Sequence, residues 1–99
     1  MNTKEEILQF LIKNKLFLTE KFHLKKIGLF GSFARGEQKQ TSDVDILIEL
    51  EEGAKNIFDL EWDLCELLKK QFNRNVDVVH ERSIRSYFKP YILKEAIYV

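Results

Sequence analysis

Asp43 and Asp45 stand two residues apart in "SDVDILIEL", where Ile46, Leu47 and Ile48 otherwise read as a buried strand. Side chains at i and i+2 of a strand leave the same face, about 6–7 Å apart. Two bare carboxylates at that separation repel by about 2–3 kcal/mol at an effective dielectric of about 20. A divalent cation between them reverses the sign of that interaction. Carboxylate oxygens, water and phosphate are the ligand set that suits magnesium. An exposed acid pair that merely opens a strand is the alternative. A third acid, Asp77, interrupts "NVDVV", again where an apolar residue is expected. If that strand lies beside the one holding Asp45, the three carboxylates meet. The chemistry they then suit is metal-assisted phosphoryl transfer, in which one acid helps to deprotonate the attacking hydroxyl.

Such chemistry needs a place for phosphate, and "LFGSFARGE" offers one. Gly31 ends a strand and lets a ligand approach the backbone, while Ser32 caps a single helical turn closed by Gly36. Free amides at that turn are suited to an anion, and Arg35 could lay its planar fork over the same phosphate. An ordinary strand-to-helix turn fits "GS" as well. Gly31 and Gly36 have Walker spacing, but Glu37 and Gln38 follow where Lys and Ser or Thr are required, and the sequence has no G-x-G-x-x-G.

The elements that must position these groups follow from the hydrophobic periodicity. Thr3 and Glu6 form a capping-box pattern ahead of Ile7, Leu8, Leu11 and Ile12, which predicts a helix over 3–14, with helical character resuming before His23. "KKIGLF" reads as a strand, "DVDILIEL" as a second closed by the turn "EEGAK", and "NVDVVH" as a third. From Asn56, Ile57, Leu60, Leu64, Leu67, Leu68 and Phe72 fall on one helical stripe. A short tail helix with Pro90 in its first turn runs through Glu95. The expected fold is α/β, a small mixed β-sheet flanked by helices in one domain over 1–99. Phe58, Trp62 and Cys65 form a second stripe on the long helix, expected to pack. Tyr87, Phe88, Tyr91 and Tyr98, interleaved with Arg85, Lys89 and Lys94, are core or a docking surface. His23 and His80 stand alone and are expected to be neither metal ligands nor bases.

Composition sets the bounds. The chain has 99 residues, 44% of them hydrophobic and 12% aromatic, which is a globular composition. A single Cys65 allows no internal disulfide, and a charged "MNTKEE" start with no long apolar run gives neither signal peptide nor membrane span. A cytoplasmic protein is the simplest expectation. Net charge is zero, yet residues 37–66 hold ten acids against two Lys or Arg. That acidic middle is a solvated face or a cation-attracting site, and it argues against direct nucleic-acid binding there.

Gly31-Ser32, ten intervening residues, Asp43-Val44-Asp45 and a later strand aspartate, Asp77, together resemble the signature of the polymerase-beta-like nucleotidyltransferase superfamily. The short length resembles the minimal nucleotidyltransferases, antitoxin halves of HEPN/MNT toxin–antitoxin pairs. The resemblance implies the minimal nucleotidyltransferase fold, a two-ion Mg2+ site at Asp43, Asp45 and Asp77, and ATP as substrate. It implies that Gly31 and Ser32 bind the β- and γ-phosphates, that Arg35 contacts the triphosphate, and that Asp77 assists the incoming hydroxyl. The implied reaction moves AMP onto a tyrosine of a partner HEPN ribonuclease, silencing it. A non-catalytic antitoxin and an antibiotic-type small-molecule nucleotidyltransferase are the alternatives, and a homodimer is left open.

Overall fold

The computed structural model describes residues 2–99. The capping box forms as the sequence predicts: the Glu6 N–H donates to Thr3 Oγ1 at 3.1 Å and the Thr3 N–H to Glu6 Oε1 at 3.0 Å. It opens helix α1 (Lys4–Lys13), and α2 (Lys15–Phe22) follows after Asn14. Strand β1 (Leu24–Phe30) runs into the one-turn helix α3 (Gly31–Arg35), which Gly36 ends at φ 71°. Then come β2 (Val44–Leu50), α4 (Ile57–Phe72), β3 (Val76–His80), a 3-10 turn over Glu81–Ser83, α5 (Lys89–Glu95) and β4 (Ile97–Tyr98). Every element expected from periodicity is present within a residue or two of its expected limits. The two-residue β4 has no counterpart in the sequence reading.

The sheet is mixed, in the order β3-β2-β1-β4. β2 pairs antiparallel with β1 and parallel with β3, and β1 pairs antiparallel with β4. A parallel neighbour needs a crossover, and α4 supplies it between β2 and β3. On β2 the even-numbered Val44, Ile46, Ile48 and Leu50 enter one buried cluster with Ile7 and Leu11 of α1, Leu18 and Phe22 of α2, and Leu64, Leu68 and Phe72 of α4. The helices therefore cover the face that those residues point to. Alternation along the strand sends the odd-numbered side chains, Asp45 among them, to the opposite face. The acid at the mouth of an apolar strand thus stays out of the hydrophobic cluster. No helix among the described residues is long and apolar enough to cross a membrane.

Two expectations about packing are resolved differently. Phe58 and Trp62 do not pack into the core: they are 87% and 67% exposed. The buried stripe of α4 is the one through Leu64, Leu68 and Phe72, and an amphipathic helix on one sheet face can bury only one. In the tail, Tyr87, Phe88 and Tyr91 are exposed as well, while Tyr98 is half-buried and donates from its hydroxyl to Glu81 Oε2 at 3.1 Å.

Candidate active site

Strand register brings the acids together. β2 and β3 run parallel with Asp45 directly opposite Asp77, and residues opposite one another in a sheet face the same side. Asp43 lies one residue before β2, so the pair Asp43 and Asp45 spans the edge of the strand rather than its interior. On the other flank of β2, Phe30 is opposite Asp45, which sets Gly31 at the end of β1 against the same carboxylate. The closeness is extreme: a Cβ built on Gly31 would fall inside the Asp45 carboxyl group, 2.9 Å from its Cγ. Gly31 also sits at φ 73°, where side chains are disfavoured. Both the backbone conformation and the space therefore require glycine.

The electrostatics match that crowding. Asp45 is pushed up from 3.8 to about 6, first by burial, then by the negative charges of Asp77 and Asp43, with Arg35 pulling the other way. Asp45 thus feels the charge of both other acids. Among the described residues no group of three acidic, histidine or cysteine side chains converges closely enough to enclose an ion unaided. By the chemistry of their donors, Asp43 and Asp45 could contribute one or two carboxylates to magnesium, whose octahedron is commonly completed by water and substrate phosphates.

Arg35, expected to reach for phosphate, is engaged within the protein. Its Nη1 donates to Glu95 Oε2 at 2.8 Å and its Nε to Glu37 Oε1 at 2.9 Å. These two bonds, Glu95 first, raise its pKa. The second oxygen of Glu95 accepts the Gly31 N–H at 3.1 Å. Glu95 ends α5, so one carboxylate of the tail ties together the turn amide and the guanidinium.

Two residues that shape the site were not singled out in the sequence: Glu95 and Arg74. Arg74 Nη1 donates to the carbonyls of Gln40 and Ser42, both at 2.8 Å, and its guanidinium lies 5.2 Å from the centre of the Phe33 ring. It thereby fastens the loop that leads into Asp43 to the turn before β3. An open recess of about 470 Å³ is lined by that loop and turn, with Asp43 on its wall. A second recess of about 300 Å³ runs along Phe58, Glu61, Trp62, Cys65, Asp77 and Val78. His23 caps α2 and His80 accepts the Arg82 N–H at 3.0 Å, each in a structural role.

Comparison with known proteins identifies the family and the fold. The profile of the nucleotidyltransferase domain family matches residues 11–99. Protein adenylyltransferase MntA of Thermococcus cleftensis is 40% identical over 99 residues, which cover 100% of this chain and 98% of that one. A solved minimal nucleotidyltransferase superposes with a TM-score of 0.80 at 30% identity, over 97% of this chain and 95% of the other. A chain from a toxin–antitoxin complex solved with AMP-PNP superposes with a TM-score of 0.68 at 26% identity, over 87% of this chain and 69% of that one.

Proposed function

The chain belongs to the nucleotidyltransferase domain family, and we propose that it moves AMP from ATP to a tyrosine hydroxyl of a HEPN-domain ribonuclease, acting as that toxin's antitoxin. The observation that carries the reading is the register of the sheet: Asp45 opposite Asp77, with Asp43 beside them and the Gly31-Ser32 turn across the same strand. The name of the Thermococcus relative supports AMP as the group transferred to a protein. The AMP-PNP complex supports an adenosine triphosphate as donor and a toxin as partner.

Each residue then has a task. The Gly31 and Ser32 amides and the Ser32 hydroxyl hold the β- and γ-phosphates, and Arg35 balances their charge. Asp43 and Asp45, with Asp77 alongside, are the residues that would hold Mg2+, which would there offset charge on the α-phosphate and on the leaving pyrophosphate. Asp77 accepts the proton of the acceptor hydroxyl as its oxygen bonds to the α-phosphorus. The bond from that phosphorus to the bridging oxygen breaks, and pyrophosphate leaves with the electron pair. The recess beside Asp77 is lined by two aromatic rings, Phe58 and Trp62, together with the acids Glu61 and Asp77. An aromatic ring carrying a hydroxyl suits that lining better than an aliphatic alcohol does, because rings stack on rings.

The test is Asp77→Asn. It removes the proton acceptor and leaves the phosphate cradle intact. The expected outcome is unchanged ATP binding by calorimetry with transfer lowered by roughly 10²-fold or more. Full transfer activity in that variant removes Asp77 from the reaction.

A further inference from the structure

Glu95 is placed where a helix least favours it. It is the last residue of α5, at the negative end of the helix dipole, where a cation would be stabilising. Its partly exposed carboxylate nevertheless accepts from two donors, the Gly31 amide and the Arg35 guanidinium. These donors stand 60 and 64 positions away in sequence. They are also the backbone and side-chain groups to which the function proposed above assigns the triphosphate. A carboxylate that bridges a turn amide and an arginine fork presents two anionic oxygens, as a phosphate would. It also adds a fourth negative charge near Asp43, Asp45 and Asp77, and its field is felt at Asp45.

We propose that Glu95 is an internal anion in the triphosphate cradle: its carboxylate holds the Gly31 amide and Arg35 until nucleotide arrives, and the β- and γ-phosphates must displace it. This rests on the nucleotide reading of the site and concerns its regulation. Gly31 and Arg35 cannot give the same N–H bonds to Glu95 and to a phosphate at once. Binding therefore includes the cost of breaking both Glu95 contacts. Displacement also frees the end of α5, which leads directly through Ala96 into β4. Nucleotide occupancy is thereby transmitted to the tail that bears exposed Tyr87, Phe88 and Tyr91.

The probe is Glu95→Gln, which keeps the shape and an acceptor for the Gly31 N–H but removes the charge. Binding of Mg2+ with the non-transferable analogue α,β-methylene-ATP, and of inorganic tripolyphosphate, is measured by calorimetry. Competition predicts that both bind about 5–10-fold more tightly to the variant. Unchanged or weaker binding of both makes Glu95 an anchor or a positioning group and overturns the proposal. Wild-type protein supplies a second reading that no folding defect can confuse. Amide hydrogen exchange in Lys89–Glu95 is expected to quicken on saturation with the analogue, and slower exchange there contradicts displacement. If neither wild type nor variant binds nucleotide or tripolyphosphate, the nucleotide site itself falls, together with this inference. If both bind equally well, only the inference falls.

Discussion

Asp45 titrates at about 6 in the fold against an ordinary 3.8, because burial and two neighbouring acids penalise its charge. A folded-state pKa raised in this way means that the fold is favoured while Asp45 is protonated. Stability is lost as pH rises from near 4 through 6, and the full cost is present above that window. The side chain is half-buried, so solvent screening reduces the cost to about 1 kcal/mol. Asp45→Asn is therefore expected to raise Tm by about 4–8 °C at pH 7.5 without added magnesium, with the gain fading toward pH 4. Thermal melts across that range check it. An equal gain at every pH would assign the effect to packing rather than charge. The same variant is expected to lose transfer, so stability and function pull apart at one residue, as they do where a site stores repulsion for a ligand to relieve. The three acids and the Gly31-Ser32 turn were legible in the sequence because each breaks a local rule: a charge in an apolar strand, a glycine at a strand end. Arg74 breaks none, and Glu95 only a weak one, an acid at a helix C-terminus. A glutamate near a helix end and an arginine in a polar turn look like solvated surface, and their roles emerge only when distant segments meet.

At the scale of elements, the loop before β2 shows how a site residue is aimed. Asp43 lies just outside the strand, so the sheet ladder alone does not fix it. Arg74 does so from the α4–β3 turn by gripping the Gln40 and Ser42 carbonyls. Arg74→Met keeps an unbranched side chain but removes the donors and the guanidinium over Phe33. The expected cost is about 1.5–3 kcal/mol in urea unfolding, with a several-fold rise in the magnesium concentration for half-maximal transfer. A stability loss with an unchanged magnesium requirement would mean that Arg74 supports the fold and leaves Asp43 unaimed. Helices α1 and α4 were readable because each buries one periodic face, and the three longer strands because turn residues bound their aliphatic runs. β4 was not, because Ile97 and Tyr98 are too few to show a period. Its pairing depends on Gly28, where a Cβ would come within 2.8 Å of the Ile97 carbonyl oxygen. A glycine inside a strand signals close backbone approach without saying by what. The second α4 stripe was misjudged for a related reason: periodicity shows that Phe58 and Trp62 share a side of the helix, not which side meets the sheet.

Across the whole molecule, charge and exposed apolar surface are unevenly distributed. The acids concentrate in residues 37–66, which contain Asp43, Asp45 and the first turns of α4. Apart from Phe17 on α2, the exposed aromatics fall in two places, Phe58 and Trp62 on α4 beside Asp77, and Tyr87, Phe88 and Tyr91 before and on α5. Exposed apolar surface next to a reactive group is what a protein acceptor would cover. A small molecule would find the two recesses open along one side. Under the proposed function, this sheet would hold the donor nucleotide and the metal, while the acceptor arrives on another protein. The most direct test is incubation of the purified protein with Mg2+, ATP labelled on the α-phosphate and a HEPN-domain partner, beside an Asp43→Asn, Asp45→Asn double variant. The account predicts label on the partner with wild type and none with the variant. An unlabelled partner that binds both forms equally well would contradict nucleotidyl transfer and leave an antitoxin that works by binding alone.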